Sequence, residues 1–301
     1  MVGAIIDIGT NSCRLYIAET NGANSKEFKE IVNIVEITRL GEGVNKSKIL
    51  NKNAIIRTIE VIKKYKKICD DHSVEKVTAY ATSAVRDAVN KDDFISGVER
   101  LGIDFHVITG ETEGKAAFLG ATYEMKGNDK FLVIDIGGGS TEFSYGLPNT
   151  IPEVVSINIG TIRFVEMLRE MTYEQLEIHI HEMLSKSELL EKIKQLNEEY
   201  ELIGVAATIT GQVFISKKIN YNPKISHGYR LSIKEIKGNF NELHNMSESE
   251  RLLIPSMHSK RVDVIVPGTF LLYQILTFFN KNEITCSEKD LLEGHFITTY
   301  L

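Results

Sequence analysis

Two short stretches of this 301-residue chain share one frame of reactive residue types. Ala4-Ile5-Ile6-Asp7-Ile8-Gly9-Thr10-Asn11-Ser12 recurs as Leu132-Val133-Ile134-Asp135-Ile136-Gly137-Gly138-Gly139-Ser140, so Asp-Ile-Gly-x-x-Ser appears twice, 128 residues apart. Each copy reads as an apolar β-run, a tight glycine turn and a second strand. Glycine permits φ > 0 and close backbone approach, so successive N–H groups can point at one anion. The Ser and Thr hydroxyls add donors, and an Asp at the strand end can hold a hydrated metal. Hairpin turns also favour Gly, Asn and Ser for purely structural reasons. One copy leaves the two readings balanced; a second copy with Asp and Ser in the same places favours anion binding.

The elements that must present these loops repeat as well. In the first half, strands are expected near 2–8, 13–19 and 31–38. A helix near 51–71 carries Ile55, Ile59, Ile62 and Tyr65 at helical spacing. A strand near 75–82, a helix near 91–101, a strand near 103–108 and a helix near 112–124 follow, in the order βββαβαβα. The second half starts likewise, with strands near 131–136, 140–146 and 153–158. Helical insertions over about 161–198 come next, and Thr172-Tyr173-Glu174-Gln175 has capping-box spacing. A strand near 201–207, helices between 208 and 279, a strand near 282–286 and a final helix complete the chain. Gly127-Asn128-Asp129 is polar and turn-forming, which sets domains at 1–126 and 127–301. The final helix, about 288–301, is expected to pack back on the first domain. The two glycine loops then face each other across an interdomain cleft, a common place for ligands.

Composition narrows the classes. Hydrophobic residues make up 43% and charged ones 25%, as in an ordinary globular protein. The formal charge of −6 disfavours broad electrostatic binding of nucleic acid. The run Lys63-Lys64-Tyr65-Lys66-Lys67 reads better as a solvated helix face than as an anion patch. Cys13, Cys69 and Cys286 are odd in number and far apart, which argues against a disulfide framework and a zinc site. No signal peptide and no bilayer-spanning stretch is expected, so the compartment read from the sequence is the cytoplasm. His179-Ile180-His181-Glu182 lacks HExxH spacing and reads as solvated. Met167, Met171 and Met183 read as packing residues, and the Phe and Leu cluster at 270–279 as a buried helix.

An ordered set of further segments carries a more specific signal. Asp7-Ile8-Gly9-Thr10-Asn11-Ser12 with Arg14 is followed by Arg39-Leu40-Gly41-Glu42-Gly43 and Ala81-Thr82-Ser83-Ala84-Val85-Arg86-Asp87-Ala88. Ile108-Thr109-Gly110-Glu111-Thr112-Glu113-Gly114, Asp135-Ile136-Gly137-Gly138-Gly139-Ser140-Thr141-Glu142 and Arg261-Val262-Asp263-Val264-Ile265-Val266-Pro267-Gly268 come next. Over nearly its whole length the chain resembles the exopolyphosphatase/guanosine pentaphosphate phosphatase (Ppx/GppA) family of the actin-like ATPase superfamily. The resemblance implies an α/β fold of two actin-like (ribonuclease H-like) domains. Each would hold a mixed five-stranded sheet with helices, and the active site would lie in the interdomain cleft. It also implies removal of terminal phosphate from inorganic polyphosphate, or from guanosine pentaphosphate, with Mg²⁺, in a homodimer that binds no specific nucleic acid and no membrane.

Within that resemblance Glu113 is the residue expected to orient and deprotonate the attacking water, with Glu111 the lesser candidate. Arg86 is expected on the terminal phosphate. Thr10, Asn11, Ser12, Arg14, Gly138, Gly139, Ser140 and Thr141 are expected substrate contacts. Asp135, Glu142 and Asp7 are expected on the metal. Three positions depart from the pattern. Thr112 separates two acids that are often consecutive, Ala207 stands where glycine is usual, and Leu292 stands where arginine is frequent. Two other readings stay open: a catalytically weak sensor of polyphosphate or an alarmone, and an actin-like ATPase or kinase.

Overall fold

A computed structural model describes residues 1–21, 27–196 and 198–301 and gathers the strands into two mixed sheets. The first holds β1 (Val2–Ile8), β2 (Ser12–Thr20), β3 (Phe28–Ile37), β4 (Lys76–Ala81) and β5 (Asp104–Val107), ordered β3-β2-β1-β4-β5. The second holds β6 (Phe131–Ile136), β7 (Thr141–Gly146), β8 (Glu153–Ile157), β9 (Glu201–Val205), β10 (Arg230–Ser232) and β11 (Glu283–Cys286). Its order is β10-β11-β9-β6-β7-β8. In both sheets the glycine loop joins an antiparallel pair, and the strand on the loop's other side runs parallel. The duplicated frame is thus a duplicated α/β fold. The expected count of five strands is corrected for the second sheet, where β10 pairs antiparallel with β11 as a sixth. Three residues are too few to show strand alternation.

β1 and β6 are apolar along their length because helices cover both sheet faces. Ala4, Ile6 and Ile8 of β1 enter a core with Ile55, Val61, Ile62 and Tyr65 of the Lys52–Asp71 helix. That helix is capped by Asn51, whose side chain accepts from Asn53 N at 2.8 Å. Ile5, on the opposite face, packs with Leu292, Phe296 and Tyr300 of the Leu291–Tyr300 helix. On the second sheet, Phe131, Val133, Ile203 and Val205 pack against Ala116, Ala117 and Phe118 of the Gly110–Thr122 helix. The other face carries Ile134, Ile136 and Phe143 against the Tyr173–Ser185 and Ile265–Phe278 helices.

The two sheets therefore exchange helices. The helix that follows the first sheet packs on the second, and the last helix packs on the first. The pair crosses at Gly120 and Gly294, where a Cβ on Gly120 would overlap the Asp290 carbonyl and one on Gly294 the Ala116 carbonyl. Only glycine lets the backbones approach so closely. Leu292 is fully buried in this apolar packing, so the substitution seen in sequence alters a core contact rather than a cleft charge. His181 is half-buried and bonded to Gln274 at 2.9 Å, against the solvated reading of its segment. Among the described residues no helix is long and apolar enough to cross a membrane.

Candidate active site

Both glycine loops close in the same way. Gly9 N donates to Ser12 O at 2.9 Å, and Gly137 N to Ser140 O at 3.0 Å. With each sheet and the helices packed on it taken as one lobe, the first loop is braced by its own lobe, Gly41 N donating to Thr10 O and Thr38 N and Arg39 N to Asn11 O. The second is continued by a helix: Thr161 N donates to Gly137 O, and Ile162 N to Gly138 O at 2.8 Å. The loops meet directly. A Cβ on Gly138 would lie 3.1 Å from Thr10 Cβ, and one on Gly139 would lie 2.9 Å from Thr10 Oγ1. Thr10 Oγ1 also pairs with Ser83 Oγ at 2.7 Å.

Four carboxylates gather beside this junction. Asp7 and Asp135 are the last residues but one of β1 and β6, and Glu142 faces Asp135 in register across β6–β7. Glu113 sits in the first turn of the Gly110–Thr122 helix, whose Thr109 cap accepts from Thr112 N at 3.2 Å. Two glycines bring that turn against β7 and β8, since a Cβ on Gly110 would overlap Ser156 and one on Gly114 would lie 2.6 Å from Val154. All four acids are buried, and each has an oxygen with no hydrogen-bond partner among the described residues.

Burial raises their pKa values, because a low-dielectric setting disfavours the charged form. Asp7 is pushed up to about 7 by burial, with Arg14 opposing. Glu142 is also pushed up to about 7 by burial, against hydrogen bonds from Ser156 and Ser140. Glu113 and Asp135 rise well above the ordinary range, first through burial and then through the negative charge of Glu142. Arg86 opposes the rise at Glu113: its Nη1 lies 3.8 Å from Glu113 Oε2, near enough for attraction but beyond hydrogen-bond reach. The same Nη1 donates to Ile108 O at 3.0 Å.

Not every expected contact faces the junction. Arg14 lies opposite Asp7 in register, but its Nη1 is bound to Asp290 Oδ2 at 2.5 Å. Thr141 is fully buried and donates its hydroxyl to Ile159 O at 2.7 Å. Glu111 is turned to Lys115 at 2.6 Å, away from the acid cluster. Ala207 opens a helix in ordinary fashion, whereas its neighbour Ala206 has φ 65° and ψ 160°. The position that calls for glycine is thus one residue earlier than the sequence suggests.

The acid cluster suits a hard cation in chemistry, being oxygen-only with unpaired oxygens turned inward. Among the described residues no three acid or imidazole side chains close on one point. The residues present thus fit a hard divalent cation that keeps part of its own hydration shell.

Several residues at the junction were not assigned a role from the sequence. Ser83, inside the Ala81–Ala88 motif, touches Thr10, and Ser156, outside every motif, touches Glu142. Arg163 is buried and donates to Gly139 O, to Asn45 Oδ1 and to Asp87 Oδ2, the last at 2.6 Å. Only its place three residues after Gly160, in the helix that extends the second loop, hints at this role.

The Ppx/GppA phosphatase family model matches residues 17–301. A curated relative, the bifunctional 3-dehydroquinate synthase/phosphatase of Fusobacterium nucleatum, is 40% identical over 97% of this chain, which spans 45% of that relative's length. Exopolyphosphatase 2 of Mycobacterium tuberculosis is 29% identical over 97% of this chain and 96% of its own. Among solved structures, the Ppx/GppA enzyme of Aquifex aeolicus superposes with a TM-score of 0.80 at 32% identity, covering 99% of both chains. With a family model matched across almost all of it and the duplicated actin-like fold in place, the chain belongs to the Ppx/GppA phosphatase family.

Proposed function

We propose that this protein is an exopolyphosphatase that releases orthophosphate from the end of inorganic polyphosphate. The observation that carries the reading is Glu113: a buried carboxylate with one unpartnered oxygen, 3.8 Å from Arg86, beside two facing glycine loops. Phosphoryl transfer to water needs an oriented nucleophile, charge neutralisation and in-line geometry. Glu113 orients the water and takes its proton. The water oxygen bonds to the terminal phosphorus, and the bridging P–O bond breaks with its electron pair leaving on the shortened chain. Arg86 and the loop N–H groups hold the terminal phosphate, with Thr10, Asn11, Ser12 and Ser140 as further donors. Asp135, Glu142 and Asp7 would hold Mg²⁺, which supplies positive charge to the cluster and the phosphate oxygens. Burial raises the proton affinity of Glu113, which makes it the stronger base once ionised.

The substrate class is supported by the exopolyphosphatase names of relatives aligned along most of this chain. Guanosine pentaphosphate, with the same terminal phosphoanhydride, is proposed as a second substrate. We also propose a division of the chain at 126/127, a homodimer and a cytoplasmic setting, the last consistent with three free, buried cysteines.

The test is Mg²⁺-dependent orthophosphate release from long-chain polyphosphate, beside tripolyphosphate, guanosine pentaphosphate and ATP. Release from polyphosphate that vanishes in Glu113→Gln is the expected result. Tight binding without release would replace the hydrolase with a sensor.

A further inference from the structure

Asp87 stands between two arginines that belong to different lobes. Its Oδ2 accepts from Arg163 Nη2 at 2.6 Å, and its Oδ1 lies 3.9 Å from Arg86 Nε. The shorter contact is the hydrogen-bonded one; the longer is attraction alone. Arg163 travels with the second loop, since its Nε donates to Gly139 O and its helix begins on the Gly137 and Gly138 carbonyls. Arg86 and Asp87 belong to the first lobe, at the end of the short Ser83–Arg86 helix after β4.

In this arrangement the lobes are closed. The cavity between Thr10, Ser83, Gly139 and Arg163 measures about 10 Å³, the space of a single water. A phosphate chain does not fit there, so a chain that passes between the two glycine loops requires them to part. Further ties across the mouth hold the closed form, including Arg39 to Asp263 at 2.5 Å and Gly43 N to Glu166 Oε1 at 3.1 Å. When the loops part, Arg163 leaves with Gly139 and Asp87 loses its partner. The nearest remaining cation is its own neighbour, Arg86.

We propose that Asp87 is a positioning residue handed between two arginines: Arg163 holds it in the closed form, freeing Arg86 for phosphate, and Arg86 takes it when the lobes part. Lobe closure and the availability of Arg86 are thereby one event. The proposal rests on the assignment of Arg86 to the terminal phosphate made above. A simple interlobe staple would behave differently, because either partner's loss would break it equally and losing both would be no better.

The experiment is a double-mutant cycle on the full chain, reading orthophosphate release from polyphosphate with Mg²⁺. Arg163→Gln strands Asp87 on Arg86 and is expected to lower kcat/KM by about 30-fold or more, with KM rising. Asp87→Asn is expected to cost only about 3-fold, and the double variant to recover about 10-fold over Arg163→Gln. Arg163→Lys, which keeps the charge, should fall between wild type and Arg163→Gln. A double variant as poor as Arg163→Gln would overturn the hand-off in favour of a staple. Calorimetric titration of the same proteins with tripolyphosphate separates this from the functional assignment. Wild type that binds but releases no orthophosphate would sink the hydrolase reading, while the order of affinities would still decide the hand-off. Wild-type affinity equalled by Arg163→Gln would refute it.

Discussion

Arg14 and Glu142 occupy the same place in the two hairpins and carry opposite charge. Each is the register partner of the aspartate near the end of the preceding strand, Asp7 for Arg14 and Asp135 for Glu142. The duplication has therefore kept the backbone and divided the electrostatics. One aspartate faces a cation that is itself anchored to Asp290, and the other faces a second acid. The second hairpin, with Glu113 against it, is where negative charge concentrates.

That concentration sets a pH dependence of stability. Asp7 and Glu142 rise to about 7 and Glu293 to about 8, all chiefly through burial. A carboxyl whose folded pKa lies above its unfolded one stabilises fully below about pH 4, and the benefit is lost as pH climbs through the folded value. His295 runs the other way: burial lowers its pKa to about 3, so it costs stability only as pH drops below about 6.5. Between pH 6.5 and 8.5 the acids act alone. Metal-free protein should lose stability steadily over that range in urea titrations, and millimolar Mg²⁺ should recover part of it. A flat profile without Mg²⁺ would contradict the buried acid cluster.

Glu113→Gln should separate activity from stability. Removing the base is expected to lower kcat by about 10²- to 10⁴-fold. Removing a buried acid that Glu142 and Asp135 repel should raise the melting temperature of the metal-free protein at pH 8. A variant that is inactive and also less stable would point to a structural role instead.

Ala206 holds φ 65° and ψ 160° between β9 and the Ala207–Lys217 helix, a region of backbone space favourable only to glycine. Ala206→Gly should therefore stabilise the protein by about 1 kcal/mol, against the usual penalty for placing glycine near a helix. Chemical denaturation reads this directly, and Ala207→Gly, one residue on, should not reproduce the gain.

At the helix crossing, Gly120→Ala and Gly294→Ala should each destabilise by about 3 kcal/mol or more, because the new methyl meets backbone carbonyl carbon and oxygen that cannot rotate aside. Gly238→Ala is the control. It lies in the Ile233–Asn245 helix with open space at the Cβ, so it should be neutral or stabilising.

Much of this architecture was legible because it is local. The Asp-Ile-Gly-x-x-Ser frame marks both hairpins, and the spacing of Ile55, Ile62 and Tyr65 marks a helix that buries those residues. What escaped was set by distant packing. Nothing in the Gly110–Thr122 segment announces that it serves the other sheet, since its small residues suit any close helix contact. Arg163 lies outside every motif, and Asp87 lies inside one with no role expected of it; they become partners only when the lobes meet. Leu292 looked like a missing cleft charge because sequence gives position along a helix but not the side it buries. The glycine-like backbone at Ala206 was read one residue late, because a boundary between strand and helix is fixed by hydrogen bonds that the sequence does not display.

The helix exchange also fixes an order of events during synthesis. β1 and β2 are made long before the last helix, yet Ile5, Tyr16 and Ala18 are covered by residues 291–300. On the ribosome the first lobe waits, with one greasy face open, while the second lobe and its insertions are translated. Its completion is thus delayed until residues 291–300 have been translated, and until then its uncovered face is open to misassembly.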